Sequence, residues 1–166
     1  RQLETQTNLA ITYQHLGRLE QAMLMQKDVY SGRLKLHGEE NGFTLTAANN
    51  YASSLVALKR LEETKPLLRK MIPVARRVLG DSYDTTLRMR TIHAAVLYSD
   101  TGTTLDDLRE SVETLAKMER NAGRVFGAAH PLVATIARCL RNSRAALDAR
   151  ETSCTCVPVP PPPCRV

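Results

Sequence analysis

The sequence contains a repeat with a spacing of 42 residues. Matching windows begin at residues 8, 50 and 92, and their shared small residues are Ala10, Ala52 and Ala94. A second marker starts at Gly38, returns 42 residues later at Gly80, and returns again at Gly127 after 47 residues. Two independent markers that share the 42-residue spacing between the first and second units predict a stack of similar units rather than a single closed core.

Each unit is predicted to hold two antiparallel helices, because apolar residues recur at spacings of three and four. The pattern predicts seven helices over residues 3–16, 19–36, 44–58, 62–79, 86–99, 104–125 and 131–148. Small residues at Ala10, Ala52 and Ala94 fall where the two helices of a unit should cross, and Ala22 should meet them from the second helix. The predicted fold is all-α, a right-handed α-solenoid of helix pairs.

Residues 1–148 are predicted to form one repeat domain, with units over about 3–43, 44–85 and 86–130 and a capping helix over 131–148. Glycines end the second helices, since glycine adopts the left-handed cap without steric cost. Pro73 is unusual, because it falls inside a predicted helix and should kink it near Arg69. Residues 149–166 are rich in proline and cysteine, which favours a disordered tail, with docking on an aromatic groove as the alternative.

The composition favours a reduced, cytoplasmic setting. Three of the four cysteines, Cys154, Cys156 and Cys164, lie in the tail, so they do not thread a disulfide framework through the fold. The net charge of +6 is concentrated between Lys59 and Arg77, which is modest for a nucleic-acid-binding protein. The sequence contains no run of 18 apolar residues, so it predicts no membrane span.

The repeat resembles a tetratricopeptide repeat of the 42-residue kinesin-light-chain type. The motif residues are Asn8, Leu9, Ala10, Tyr13, Gly17, Leu19 and Ala22, and the linker motif is matched best by Gly127, His130 and Pro131. The resemblance covers residues 3–148. The second unit departs from the pattern at Lys59 and Thr64, and the third departs from it at Ile92 and His93.

The resemblance implies a superhelix whose inner wall is formed by the first helix of each unit, where a partner peptide would bind. Helical spacing places a set of polar residues on that wall: Asn8, Gln14, Thr46, Asn49, Asn50, Ser53, Arg88 and Tyr98. In the family, asparagines at the positions of Asn8 and Asn50 contact bound peptide. An asparagine amide can pair with both N–H and C=O groups of an extended chain, although these two could instead bond a neighbouring helix. Arg88 could hold a ligand carboxylate or remain solvated.

No pattern in the sequence favours an enzyme or a cofactor. The four histidines, His15, His37, His93 and His130, have no second His or Cys at metal-ligand spacing, and no glycine-rich phosphate loop is present. The predicted function is therefore an adaptor or scaffold module that binds a peptide segment of another protein. The alternative is a structural piece of a longer repeat array that self-associates with further repeats, and RNA binding is a distant third.

Overall fold

The computed structural model describes the backbone of residues 2–155 and the side chains of residues 2–152. Within residues 2–155 the chain forms seven helices and no strand. The helices are α1 Gln2–His15, α2 Leu19–His37, α3 Gly42–Ala57, α4 Leu61–Leu79, α5 Asp84–Ser99, α6 Leu105–Phe126 and α7 Pro131–Thr155. The predicted all-α repeat fold is confirmed, and the predicted helix bounds are correct to within two residues except at the end of α7.

The small residues that were expected at the helix crossings are buried. Ala10, Ala22 and Ala52 have no exposed surface, and Ala94 is 5% exposed. Close helix packing at these points follows from the absence of longer side chains. Each second helix ends at a glycine with positive φ, at Gly38, Gly80 and Gly127, as the sequence predicts.

The first helices of successive units lie side by side. Helix α3 packs against α5, and α5 packs against α7. Each second helix packs between the first helix of its own unit and the first helix of the next. We call the layer formed by α1, α3, α5 and α7 the A-helix face. Helix α1 is linked to α3 by a hydrogen bond from Gln14 Nε2 to Ser54 Oγ, at 2.7 Å.

The core consists of clusters that follow the units. One cluster joins α3, α4 and α5 around Leu45, Leu68, Met71 and Met89, and another joins α5, α6 and α7 around Leu115, Met118 and Ile136. The first unit differs, because Gln26 occupies a fully buried position in α2. The corresponding residues in the second and third units are Leu68 and Leu115. Both are also fully buried.

Pro66 and Pro73 both lie inside α4, which continues as a single helix from Leu61 to Leu79. Proline has no N–H, so Pro73 leaves the carbonyl of Arg69 without its usual intrahelical donor.

Helix α7 covers the end of the stack and is longer than the sequence predicts. Ile136 and Leu140 are buried, while Arg138, Arg141 and Arg144 lie on the outer side and are at least partly exposed, as expected of a capping helix. The predicted disordered tail from residue 149 is wrong for residues 149–155, which continue the helix. Tertiary contacts explain the extension. Arg150 donates to the carbonyls of Asp100 and Thr103, each at 2.6 Å, and Arg109 pairs with Glu151 at 2.8 Å. The rest of the predicted tail, with Cys156 and Cys164, lies outside the described residues.

None of the helices in the described part of the chain combines the length and the apolar character needed to cross a bilayer.

Candidate functional site

A groove opens on the A-helix face where α3, α5 and α7 meet. Its volume is about 200 Å³, and we call it the A-helix groove. Helix α3 contributes Asn49 and Ser53, α5 contributes Arg88 and Ile92, and α7 contributes Pro131, Leu132 and Thr135. The groove therefore has a polar edge on α3 and an apolar edge at the start of α7.

Asn49 is the most unusual residue of the groove. It is 7% exposed, and its Oδ1 is buried without a hydrogen-bond partner among the described residues. Its Nδ2 donates a long hydrogen bond of 3.4 Å to Asn50 Oδ1. A buried amide oxygen without a partner lowers stability, so its presence at this groove calls for an explanation other than packing.

Asn50 and Ser53 hold this part of α3 in place. Asn50 is half-buried, and its side chain accepts the hydrogen bond from Asn49. Ser53 Oγ donates to the backbone carbonyl of Asn49 at 3.0 Å, which leaves the hydroxyl oxygen able to accept a further hydrogen bond. Of the two residues, Asn50 is the one that contacts the side-chain amide of Asn49.

Arg88 lies on the edge of the groove, and its charge is already paired. Its Nε donates to Asp84 Oδ2 at 2.6 Å, one helical turn earlier on α5. The two side chains are 50% and 41% exposed, so the pair contributes little to stability. A carboxylate on a ligand would have to compete with Asp84 for the guanidinium.

The other predicted wall residues lie outside this groove. Tyr98 Oη accepts a hydrogen bond of 3.3 Å from Asn142, so it joins α5 to α7. Gln14 joins α1 to α3 through Ser54. Thr46 is exposed, bonds the carbonyl of Gly42, and lines a separate pocket with Phe43 and Tyr83. Asn8 is exposed on α1. The structure thus brings together three of the eight predicted residues, Asn49, Ser53 and Arg88.

Sequence reasoning missed the contribution of α7. Pro131, Leu132 and Thr135 line the groove because α7 occupies the place of a first helix. The signal was present in the marker glycines: the 47-residue step from Gly80 to Gly127 also relates Arg88 to Thr135. The sequence predicts α7 only as a cap, so the prediction does not place the α7 residues in the groove.

Stacked helix pairs with a groove on one helical layer define a helical-repeat fold. The family model for the tetratricopeptide repeat matches residues 2–41 and 44–82, which are the first two units. The first two units are therefore similar to tetratricopeptide repeats, and the fold of the chain is similar to that of kinesin-light-chain-like repeat structures. Proteins with this fold generally mediate protein–protein interactions.

Three solved structures support this assignment of the fold. Two contain the nearly identical TPR-like repeats of a Podosopora anserina protein assigned as a kinesin light chain, and one of these two carries a single substitution. They have TM-scores of 0.69 and 0.67 and identities of 18% and 19%, and each match covers 92% of this chain and 70% of the other. The third, BtubC (BKLC) from P. vanneervenii, has a TM-score of 0.60 and 17% identity over 99% of this chain and 68% of its own. A comparison with curated proteins found no match.

Proposed function

We propose that the chain is a protein-interaction module that binds an extended segment of a partner protein in the A-helix groove. The observation that carries the proposal is the buried Oδ1 of Asn49, which has no hydrogen-bond partner within residues 2–152. A backbone N–H of a bound segment would supply that partner.

The remaining groove residues fit the same occupant. Leu132 and Ile92 offer apolar contact, and Ser53 and Thr135 offer hydroxyl groups along the segment. The volume of about 200 Å³ suits one or two side chains rather than a folded domain. Asn8, Thr46, Asn50, Gln14 and Tyr98 would border the path of a longer segment along the A-helix face. We propose no catalytic role and no cofactor for this face, and a reduced cytoplasmic setting suits the buried free thiol of Cys139.

The proposal can be tested with a phage-displayed library of random 12-residue peptides selected on the full chain. Selected peptides are then synthesised, and their affinity is measured by calorimetry for wild type and variants. Asn49→Ala should weaken binding about 5- to 30-fold, which is the effect of losing one hydrogen bond to a buried group. Thr135→Trp should fill the groove and abolish binding.

The neighbouring variant Ala134→Trp provides a matched control, since Ala134 is exposed on the same helix and does not line the groove. It should bind as wild type does, and circular dichroism should show equal helical content for all three variants. Failure of the library to yield any binder, or equal affinities for wild type and Thr135→Trp, would contradict the proposal.

Self-association is the second candidate, and the exposed apolar residues of the first unit favour it. Leu9, Ile11, Leu16 and Leu24 are 42%, 39%, 66% and 55% exposed. A neighbouring repeat, from the same or a longer chain, would cover such a surface. Sedimentation velocity over a range of concentrations tests this candidate: reversible oligomers that disappear in Leu16→Glu would support it, and a monomer at all concentrations would exclude it.

A further inference from the structure

A second groove lies between α4 and α6, on the side of α5 away from the A-helix groove. Its volume is about 340 Å³, and we call it the α4–α6 groove. The lining residues that matter most are Arg69 and Pro73 of α4, His93 and Leu97 of α5, and Ser111 and Thr114 of α6. A cavity of this size is within the range of small-molecule sites.

The groove exists because two large side chains of the second unit have smaller, more polar counterparts in the third. In the second unit, Tyr51 stacks on Tyr30 with ring centroids 6.1 Å apart, and Leu67 packs against the same cluster. The residue 42 positions after Tyr51 is His93, and the residue 47 positions after Leu67 is Thr114. These replacements leave open the space that an aromatic ring fills one unit earlier.

Two buried polar atoms in the groove have no partner among the residues that the structure describes. They are the hydroxyl of Ser111, a residue that is 6% exposed, and Nε2 of His93. Burial lowers the pKa of His93, and the nearby charge of Arg69 acts in the same direction. His93 is therefore neutral at pH 7, and its Nε2 can accept a hydrogen bond or, in the other tautomer, donate one.

Arg69 supplies the groove with a cation that forms no ion pair within the part of the chain that the structure covers. The other two guanidinium groups, those of Arg76 and Arg90, both pair with Asp81. On the α6 side, Asp107 and Glu110 also line the groove. Their charges would repel a second anionic group on a ligand, so the site favours a single negative charge.

We propose that the α4–α6 groove binds a monocarboxylate with an apolar body about the size of an aromatic ring. The carboxylate pairs with Arg69, whose planar guanidinium suits it. The apolar body takes the space that Tyr51 fills in the second unit and contacts Ile72 and Leu97, while His93 and Ser111 face its polar edge. This proposal is independent of peptide binding in the A-helix groove.

The test is a titration of the ¹⁵N-labelled full chain with 3-phenylpropanoate, followed by NMR. We expect saturable shifts at the amides of Arg69, His93 and Ser111, with a Kd on the order of 1 mM for so small a ligand. The uncharged 3-phenylpropanamide and the small anion acetate should each bind at least about 10-fold more weakly, because each lacks one half of the recognised chemistry. If either compound binds as tightly as 3-phenylpropanoate, the proposal is overturned.

Two variants locate the site. His93→Tyr restores the residue of the second unit and should fill the groove, so it should lose binding while its helical content and thermal stability are kept. Arg69→Gln removes the cation. It should weaken the binding of 3-phenylpropanoate at least about 10-fold without changing the affinity for 3-phenylpropanamide. Unchanged binding to a folded His93→Tyr protein overturns the proposal.

The tripeptide acetyl-Gly-Gly-Phe distinguishes two sources of the same chemistry. Tighter binding than that of 3-phenylpropanoate assigns the groove to the end of a polypeptide, and weaker binding assigns it to a free aromatic acid. Thr135→Trp, which blocks only the A-helix groove, should leave the titrations with 3-phenylpropanoate and with the tripeptide unchanged. A loss of binding in Thr135→Trp would place the ligand in the A-helix groove and overturn the assignment.

Discussion

Replacing Gln26 with leucine should stabilise the protein. Gln26 has no exposed surface, and neither its Nε2 nor its Oε1 has a hydrogen-bond partner within residues 2–152. An unpaired buried polar group of this kind lowers the free energy of unfolding by roughly 1–3 kcal/mol. Leucine has a similar volume and already occupies the corresponding buried positions, at Leu68 and Leu115. We therefore expect Gln26→Leu to raise the free energy of unfolding by about 1–3 kcal/mol.

The assay is reversible unfolding in urea, followed by circular dichroism, with a thermal scan alongside. Since each kcal/mol raises the Tm of a protein of this size by about 2–4 °C, the expected increase is roughly 2–12 °C. The reverse substitution, Leu68→Gln, is the matched control and should destabilise by about 1–3 kcal/mol, because it buries an amide without a hydrogen-bond partner. A Gln26→Leu protein that is no more stable than wild type would refute the reasoning, because it would mean that the amide is satisfied in solution.

Two further predictions concern backbone strain and thiol reactivity. Lys59 has a φ of 57°, at the position where the first unit has Gly17 with a φ of 74°. A left-handed backbone conformation costs a residue with a side chain about 1–2 kcal/mol. In urea titrations, Lys59→Gly should therefore have a free energy of unfolding about 0.5–1 kcal/mol higher than that of Lys59→Ala. Equal stabilities of the two variants would contradict this account. Burial raises the pKa of the Cys139 thiol to about 11, so its thiolate fraction at pH 8 should be about 100-fold below that of a free cysteine. Mass spectrometry after N-ethylmaleimide treatment should therefore find Cys139 unmodified in the native protein and labelled in urea, and rapid labelling of the native protein would contradict the burial.

Much of the fold could be predicted from the sequence because a regular repeat spacing predicts a stack of similar units. The alanines at the crossings and the glycines at the helix ends are local signals, and the structure confirms both. The extension of α7 to Thr155 could not be predicted in this way. It accompanies contacts of Arg150 with the α5–α6 loop, about 50 residues earlier in the chain, which leave no local pattern.

The candidate site was harder to predict than the fold. Helical spacing placed Asn49 and Asn50 on the same wall, but neighbouring residues on a helix differ by about 100° in direction. The structure distinguishes them: Asn49 lines the A-helix groove, whereas Asn50 is half-buried and supports it. The α4–α6 groove was missed for another reason. His93 and Pro73 were each noticed as departures from the pattern, yet only three-dimensional packing brings them to the same cavity.

The unequal attachment of the two end helices has a consequence for how the native state opens. Helix α7 packs on both α5 and α6, whereas α1 packs mainly on α2 and is joined to α3 by the hydrogen bond from Gln14 to Ser54. In a structure built from contacts between neighbours, the least attached element separates first and leaves the rest intact. Amide protons of α1 should consequently exchange with deuterium sooner than those of α5, and fraying should advance along the stack from the amino-terminal pair.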